Sequence, residues 1–439
     1  MADLLKLSSE IIDQGVVGAE VGPINRITQE LSELAPDLAV IESFSHVVCF
    51  RTAAGLLLFD TSGKFSGEAV VSSLRRWSEA PVHSVVYTHG HVDHVGGAAA
   101  FAADAVRRGH SPARVIGHEN VVKRFERYER TNGYNLHINR RQFSGGASLM
   151  PELFLPAGTP EPNVTFADRL ALEVGELRVE LRHAKGETDD HLWAWLPARK
   201  ILCAGDFFIW NFPNAGNPQK VQRYPLEWAQ ALRAMAAQGA ELFIPAHGLP
   251  IAGEARIQRV LVDVADTLEK LVEDTLALMN QGATLDTILH EVTVDPAALH
   301  KPYLRPLYDE PEFVVRNVFR LYGGWYDGNP ARLKPPRDSE LARELAALAG
   351  GAPQLVTRAR ALAEGGELRL ACQLVELAVQ AAPEDKDAHH ARYEIYLARR
   401  RAESSLMAKG IYGTAAADSF RIAHPGEPSP ITRAKGYAI

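Results

Sequence analysis

Three histidines and an aspartate crowd into one short run, Thr88-His89-Gly90-His91-Val92-Asp93-His94-Val95-Gly96-Gly97. Imidazole nitrogens and carboxylate oxygens in combination suit zinc, and also manganese or iron. His89 and His91 are two apart, so in an extended segment both side chains point the same way. Asp93 and His94 follow where the chain turns, and can face a second position beside the first. Structural zinc sites are usually closed and cysteine-rich, so this donor set points to a catalytic site.

The flanking elements agree with that reading. Residues 82–87 are short, apolar and β-branched, which predicts a strand covered on both faces. The alanine-rich run 98–103 is strongly helix-forming. Further strands are expected at 38–44, 47–51 and 55–59, with an amphipathic helix at 66–77. A strand pair at 170–183 precedes Gly186-Glu187-Thr188-Asp189-Asp190-His191, and a strand follows at 192–196. The strand at 201–205 runs into Asp206, and the strand at 242–246 runs into His247. Between 119 and 146 lies an insertion rich in Arg, Tyr and Asn, long enough to form a wall or lid. His110, His118 and His137, in or beside it, are read as surface or supporting residues.

The H-x-H-x-D-H pattern in this setting resembles the metallo-β-lactamase superfamily, over about residues 25–255. The resemblance implies an α/β fold, the αββα sandwich, with a two-metal centre. It implies His89, His91 and Glu187 on one metal, Asp93, His94 and His247 on the other, and Asp206 bridging. Asp93 and Asp206 are the implied catalytic carboxylates. Two zinc ions per chain are expected, with manganese or iron as alternatives. Such a pair lowers the pKa of water and orients substrate. Asp60 sits where the superfamily carries an aspartate behind the metal loop, able to orient it by hydrogen bonding. Glu187 stands where a histidine is usual. The centre is then one charge less positive, and an anionic substrate needs added cationic side chains.

A chain of 439 residues suggests two or three domains. With 23% charged and 46% hydrophobic residues, the composition is that of a soluble globular protein. A net charge of −7 gives no support for nucleic-acid binding. No stretch approaches the apolar length of a membrane span. Cys49, Cys203 and Cys372 form no C-x-x-C pair and read as buried thiols of a reducing compartment. With no signal-peptide pattern at 1–14, a cytoplasmic protein is expected.

From residue 257 the periodicity becomes helical, with helices expected at 260–279, 313–322, 338–348, 354–363, 368–380 and 388–409. The hairpin around Ala381-Ala382-Pro383 resembles a single tetratricopeptide unit. The run Arg320-Leu321-Tyr322-Gly323-Gly324-Trp325-Tyr326-Asp327-Gly328-Asn329-Pro330-Ala331, with 308–317, resembles the helical dimerisation domain of the superfamily's alkylsulfatases. That family places a glutamate at the position of Glu187 and an acidic bridging residue nineteen positions later, where Asp206 stands. The expected organisation is a lead-in at 1–24, a catalytic domain at 25–255, an all-α dimerisation domain at 256–421 and a tail at 422–439. A homodimer follows from the resemblance.

The same resemblance implies hydrolysis of an alkyl or aryl sulfate ester. The family's sulfate-binding arginine falls here on Gln219, while Asn214 matches a family asparagine. Lys220, Arg223 and the insertion's Arg140 and Arg141 are the expected alternative anion contacts. The aromatic run Phe207-Phe208-Ile209-Trp210-Asn211-Phe212 is read either as an apolar pocket for a small organic ester, with Trp210 as a contact, or as core. Hydrolysis of a phosphoester, lactone or β-lactam remains open. A di-iron oxidoreductase would want a flavin-binding motif, and none is found.

Overall fold

The computed structural model describes residues 3–15, 24–144, 152–428 and 430–431. Two sheets face one another. The first holds β1 (Leu31–Ala35), β2 (Leu38–Ile41), β3 (Val47–Thr52), β4 (Gly55–Phe59), β5 (Val82–Val86), β6 (Arg114–His118) and β7 (Val164–Phe166) in that spatial order. The second holds β8 (Arg169–Val174), β9 (Leu177–His183), β10 (Leu192–Leu196), β11 (Ile201–Gly205), β12 (Leu242–Pro245) and β13 (Ile251–Ala252) in reverse order.

Strand alternation builds the layers. In β3, Val48 and Phe50 point between the sheets, where they join Val179, Leu181, Ala194 and Cys203. Val47 and Cys49 point the other way, onto Val70, Leu74 and Phe101 of the helices Gly67–Trp77 and Ala98–Arg108. Trp193, Trp195, Leu202 and Phe243, on the outer face of the second sheet, pack with Trp228, Val260, Leu261 and Leu268. Helices therefore cover both outer faces, and the expected αββα sandwich is the observed one.

Parallel pairing brings the chemical residues together. β4 and β5 run parallel with Phe59 opposite Val86, so Asp60 and the 88–94 loop leave the same edge side by side. β11 and β12 run parallel with Gly205 opposite Pro245, so Asp206 and His247 also emerge together. Parallel strands present their carboxyl ends in common, and ligand sites form there.

Three boundaries differ from the expected ones. Residues 4–14 of the lead-in form a helix capped by Asp3, with Leu4, Ile11 and Ile12 in the core. Residues 16–23 lie outside the described set. The first compact unit runs to Gly324 rather than to 255, and the described residues of 136–144 and 325–428 fall in the second. The reason is the helix Glu254–Asn280, whose stripe Ile257, Val260, Leu261, Val264, Leu268, Leu271 and Val272 packs into the core beside the second sheet. Within the second unit, the helix expected at 388–409 is two. Lys386–Ala402 ends, and Ser405 caps a new helix, Leu406–Ala423, by accepting from the Ala408 amide.

Candidate metal centre

Seven donors meet at the ends of the parallel strands, in two groups. His89, His91, Glu187 and Asp206 form the first, their ligand atoms all within 4.8 Å of one another. His89 Nε2 lies 2.8 Å from His91 Nδ1 and 3.8 Å from Asp206 Oδ2, and His91 Nδ1 lies 3.7 Å from Glu187 Oε1. Asp93, His94 and His247 form the second group, likewise within 4.8 Å. His94 Nε2 and His247 Nε2 face Asp93 Oδ2 at 3.5 and 3.4 Å, and Asp206 Oδ1 at 3.3 and 3.4 Å. The two oxygens of Asp206 thus address different groups.

The imidazoles of the second group are oriented from behind. His94 Nδ1 is 2.7 Å from Asp60 Oδ2, and Asp60 also accepts from the Thr88 amide and hydroxyl at 2.8 Å. His247 Nδ1 meets the Phe44 carbonyl. Carboxylate and carbonyl only accept, so each Nδ1 carries a proton and Nε2 is the atom offered to the group. Burial lowers both imidazoles, but Asp206 and Asp93 outweigh it, raising His94 well above the ordinary range and His247 to about 10. Asp60 does this from a left-handed backbone, φ 60°, at the end of β4.

The residues present fit divalent cations. His94 Nε2 and Asp206 Oδ1 are buried without a hydrogen bond, at the point where a ligand atom should be bare. Burial pushes His89 and His91 well below the ordinary imidazole range, leaving neutral donors. Burial also drives Glu187 up to about 8; Arg223 opposes the rise, and Asp206 and Asp93 add to it. Several carboxylates cannot share so small a buried space cheaply without positive charge among them.

Residues 40–247 match the family described as Metallo-beta-lactamase superfamily, and residues 284–421 match Alkyl sulfatase dimerisation. The chain thus carries a metallo-beta-lactamase-like region over just under half of its length, followed by a second matched region. It is 28% identical over 353 residues to the linear primary-alkylsulfatase of a Pseudomonas species, a match covering 76% of this chain and 66% of that one. It is 27% identical over 391 residues to the (R)-specific secondary-alkylsulfatase of Pseudomonas sp., covering 82% of this chain and 58% of the relative. The matches therefore span less than two thirds of these relatives' own length. Among solved structures, the stereoselective inverting sec-alkylsulfatase Pisa1 from Pseudomonas sp. superposes with a TM-score of 0.78 at 24% identity, over 91% of this chain and 66% of that chain.

The residues expected to touch substrate have different surroundings. Asn214 and Arg223 are buried against Glu187: Asn214 Nδ2 donates to Glu187 Oε1, and Arg223 Nη1 donates to the Glu187 carbonyl and lies 3.3 Å from Oε1. They brace a metal donor. Lys220 lies with its amine 5.6 Å from the Phe154 ring centre, and burial together with Arg223 pushes it down to about 7. The Gln219 and Lys220 amides donate to Asn217 Oδ1 and to the Asn217 carbonyl at 3.2 and 3.3 Å. Arg140 and Arg141 belong to the second compact unit, where the Thr414 hydroxyl donates to the Arg141 carbonyl at 3.0 Å.

Trp210 sits in the core. It is 2% exposed, its indole N–H donates to the Leu249 carbonyl at 2.8 Å, and Phe207, Phe208 and Phe212 join it in the core. Core packing is the reading that holds for the aromatic run, because the strand end and the helical layer close over it.

Sequence reasoning passed over three contributors. His191 is fully buried, its ring 4.4 Å from His89, and its Nε2 accepts from the Asp206 amide at 3.1 Å. Asp309 accepts from the amides of Gly216 and Asn217 at 2.6 and 3.1 Å, and so holds the loop that carries Asn214. Arg124 of the insertion is buried against Asp190. His191 and Asp190 stood beside Glu187 in the sequence, and that adjacency was the available signal. Nothing local marked Asp309 or Arg124.

Proposed function

We propose that this chain is a binuclear metal-dependent hydrolase of alkyl or aryl sulfate esters. The observation that carries the reading is the pair of donor groups joined through Asp206, on a chain whose relatives include named alkylsulfatases. In this reading His89, His91 and Glu187 hold one cation, Asp93, His94 and His247 hold the other, and Asp206 touches both. Zinc is the first choice, with manganese or iron as alternatives. Bound there, the cations supply Lewis-acid stabilisation of negative charge and make water acidic enough to attack near neutral pH.

The chain's own residues supply order and proton handling. Asp93 is the most open of the three carboxylates, with a side chain 26% exposed against 3% for Glu187 and 7% for Asp206. It is the group positioned to accept a proton from entering water and pass it to solvent. Hydrolysis of R–O–SO₃⁻ by one water yields R–OH, sulfate and one proton. Lys220 is the cation proposed to meet the substrate's anionic group, since Arg223 is committed to Glu187. A monoanion suits a centre made less positive by Glu187.

The test carries one organic group as sulfate, phosphate monoester, phosphodiester and carboxylic ester, and compares turnover. The sulfate is expected to be fastest. A phosphate or carboxylic ester turned over orders of magnitude faster would replace this reading with a general hydrolase of that bond.

A homodimer is part of the proposal. The match over 284–421 supports it, and so does the helix Asp338–Ala349, which buries Ala342 and Ala346 while exposing Leu341, Leu345 and Leu348 at helical spacing. Such an uncovered apolar stripe fits a second copy of the chain. Sedimentation at micromolar concentration should give a dimer, and a fully active monomer would refute it. A cytoplasmic location is proposed from the three buried, unpaired cysteines. Among the described residues, no helix is long and apolar enough to cross a membrane.

A further inference from the structure

The loop that carries His89 and His91 is gripped between them, at Gly90. The Gly90 amide donates to Asp190 Oδ2 at 2.9 Å, and the same oxygen accepts from Arg124 Nε at 2.7 Å. The side chains of Arg124 and Asp190 are 1% and 0% exposed. Arg124 comes from the helix Asn120–Arg130, the first part of the insertion, and its other nitrogen reaches Asp189 Oδ1. Asn120 Nδ2 donates to the Asp189 carbonyl at 3.0 Å, fastening the helix to the same stretch.

The packing is as close as the hydrogen bonding. A Cβ on Gly90 would come within 2.9 Å of Arg124 Cδ and 3.0 Å of Asp190 Oδ2. The stretch 187–191 therefore holds three ligand segments at once. It contains Glu187, grips Gly90 through Asp190, and takes the Asp206 amide through His191 Nε2. Burial alone would raise the Asp190 carboxyl, but the Arg124 guanidinium outweighs it and holds the group at about 2. A buried charge pair is costly to assemble and costly to break on one side. Its place here, on the one glycine between two metal donors, gives that cost a use.

We propose that Arg124 and Asp190 are positioning residues that set the metal affinity of the His89–His91–Glu187 group, which makes the first helix of the insertion part of that site. The proposal rests on the two-cation reading above. Neither residue touches the reacting atoms. They act by holding the loop that presents His89 and His91.

The experiment measures binding of Co(II) to the full chain by chelator competition, which resolves two affinities. The Glu187→Gln variant marks the weaker step as belonging to the first group. Asp190→Asn keeps an acceptor for the Gly90 amide but loses the ion pair. Arg124→Lys keeps the charge but loses the second hydrogen bond. Each is expected to weaken the first-group ion by about 10–100-fold, the usual effect of removing a partner that orients a ligand. The second-group ion should stay within about threefold, since its supports are untouched. Arg124→Lys should lose less than Arg124→Gln, and hydrogen exchange of the Gly90 amide should quicken in step. Should Asp190→Asn fail to fold, Arg124→Lys carries the test alone. Wild-type affinity at both steps in a folded Arg124→Lys, or an equal loss at both, would overturn the proposal. A wild-type chain that binds no Co(II) at either step would overturn the metal reading beneath it, a separate result.

Discussion

The two donor groups are supported in opposite ways. In the first, cations stand behind carboxylates: Arg223 against Glu187, and Arg124 against the Asp190 that holds Gly90. In the second, acceptors stand behind imidazoles: Asp60 against His94 and the Phe44 carbonyl against His247. Each support matches what its ligand lacks. A carboxylate buried among carboxylates needs positive charge to stay ionised. An imidazole needs an acceptor on one nitrogen to fix the lone pair of the other. The supports also differ in origin. Asp60 follows β4 and Phe44 lies in the short connection between β2 and β3 of the first sheet, whereas Arg124 and Arg223 arrive from the insertion and from the loop after β11.

Removing the shared residue should have the largest effect. Asp206→Ala takes a donor from both groups at once, and is expected to lose both ions and about a thousandfold of turnover, ~4 kcal/mol. Elemental analysis alongside kinetics checks this. A variant holding two ions at full activity would show that the groups are not joined through Asp206.

Asp60→Ala should break the symmetry the other way. It strips the acceptor from His94 and from the Thr88 amide and hydroxyl. The second-group ion is expected to weaken about 10–100-fold with the first unchanged, the mirror of the Arg124 result. Equal losses at both steps in Co(II) titration would mean the two supports are not independent.

The charged support should also be the acid-sensitive one. Asp190 is held at about 2 in the folded chain, against an ordinary value of 3.8. A depressed carboxyl contributes stability that is fully present above the ordinary value and lost as pH falls through the folded one. The contribution is on the order of 2 kcal/mol above pH ~4, fading between pH ~4 and ~2. Urea unfolding of the wild type and Asp190→Asn across that window should show the gap between them closing with acid. A gap constant with pH would mean that the Arg124–Asp190 charge pair contributes no linked stability.

Trp210→Phe should do least. It removes the donor to the Leu249 carbonyl, a loss of about 1 kcal/mol in stability, with KM within about twofold of the wild type. A large rise in KM at unchanged stability would return Trp210 to the substrate side.

The local features were legible in the chain itself. Spacing placed His89 and His91 together, the β-branched run at 82–86 read as a strand, and Asp206 and His247 stood at strand ends because short-range periodicity is written residue by residue. The resemblance named seven donors, and the fold brings their ligand atoms into two clusters. Contacts across long separations were not legible. That Arg124 meets Asp190, that Arg223 turns to Glu187 rather than to solvent, and that Asp309 ties down the Asn214 loop depend on segments 66, 36 and 93 residues apart. The stripe Ile257 to Val272 declared a buried helix face but not the surface that would bury it, so the unit boundary moved from 255 to 324. The aromatics after Asp206 were apolar in either reading, and the layer that closed over them made them core. A pattern says that a side chain must leave water, and the packed neighbours decide what it meets when it does.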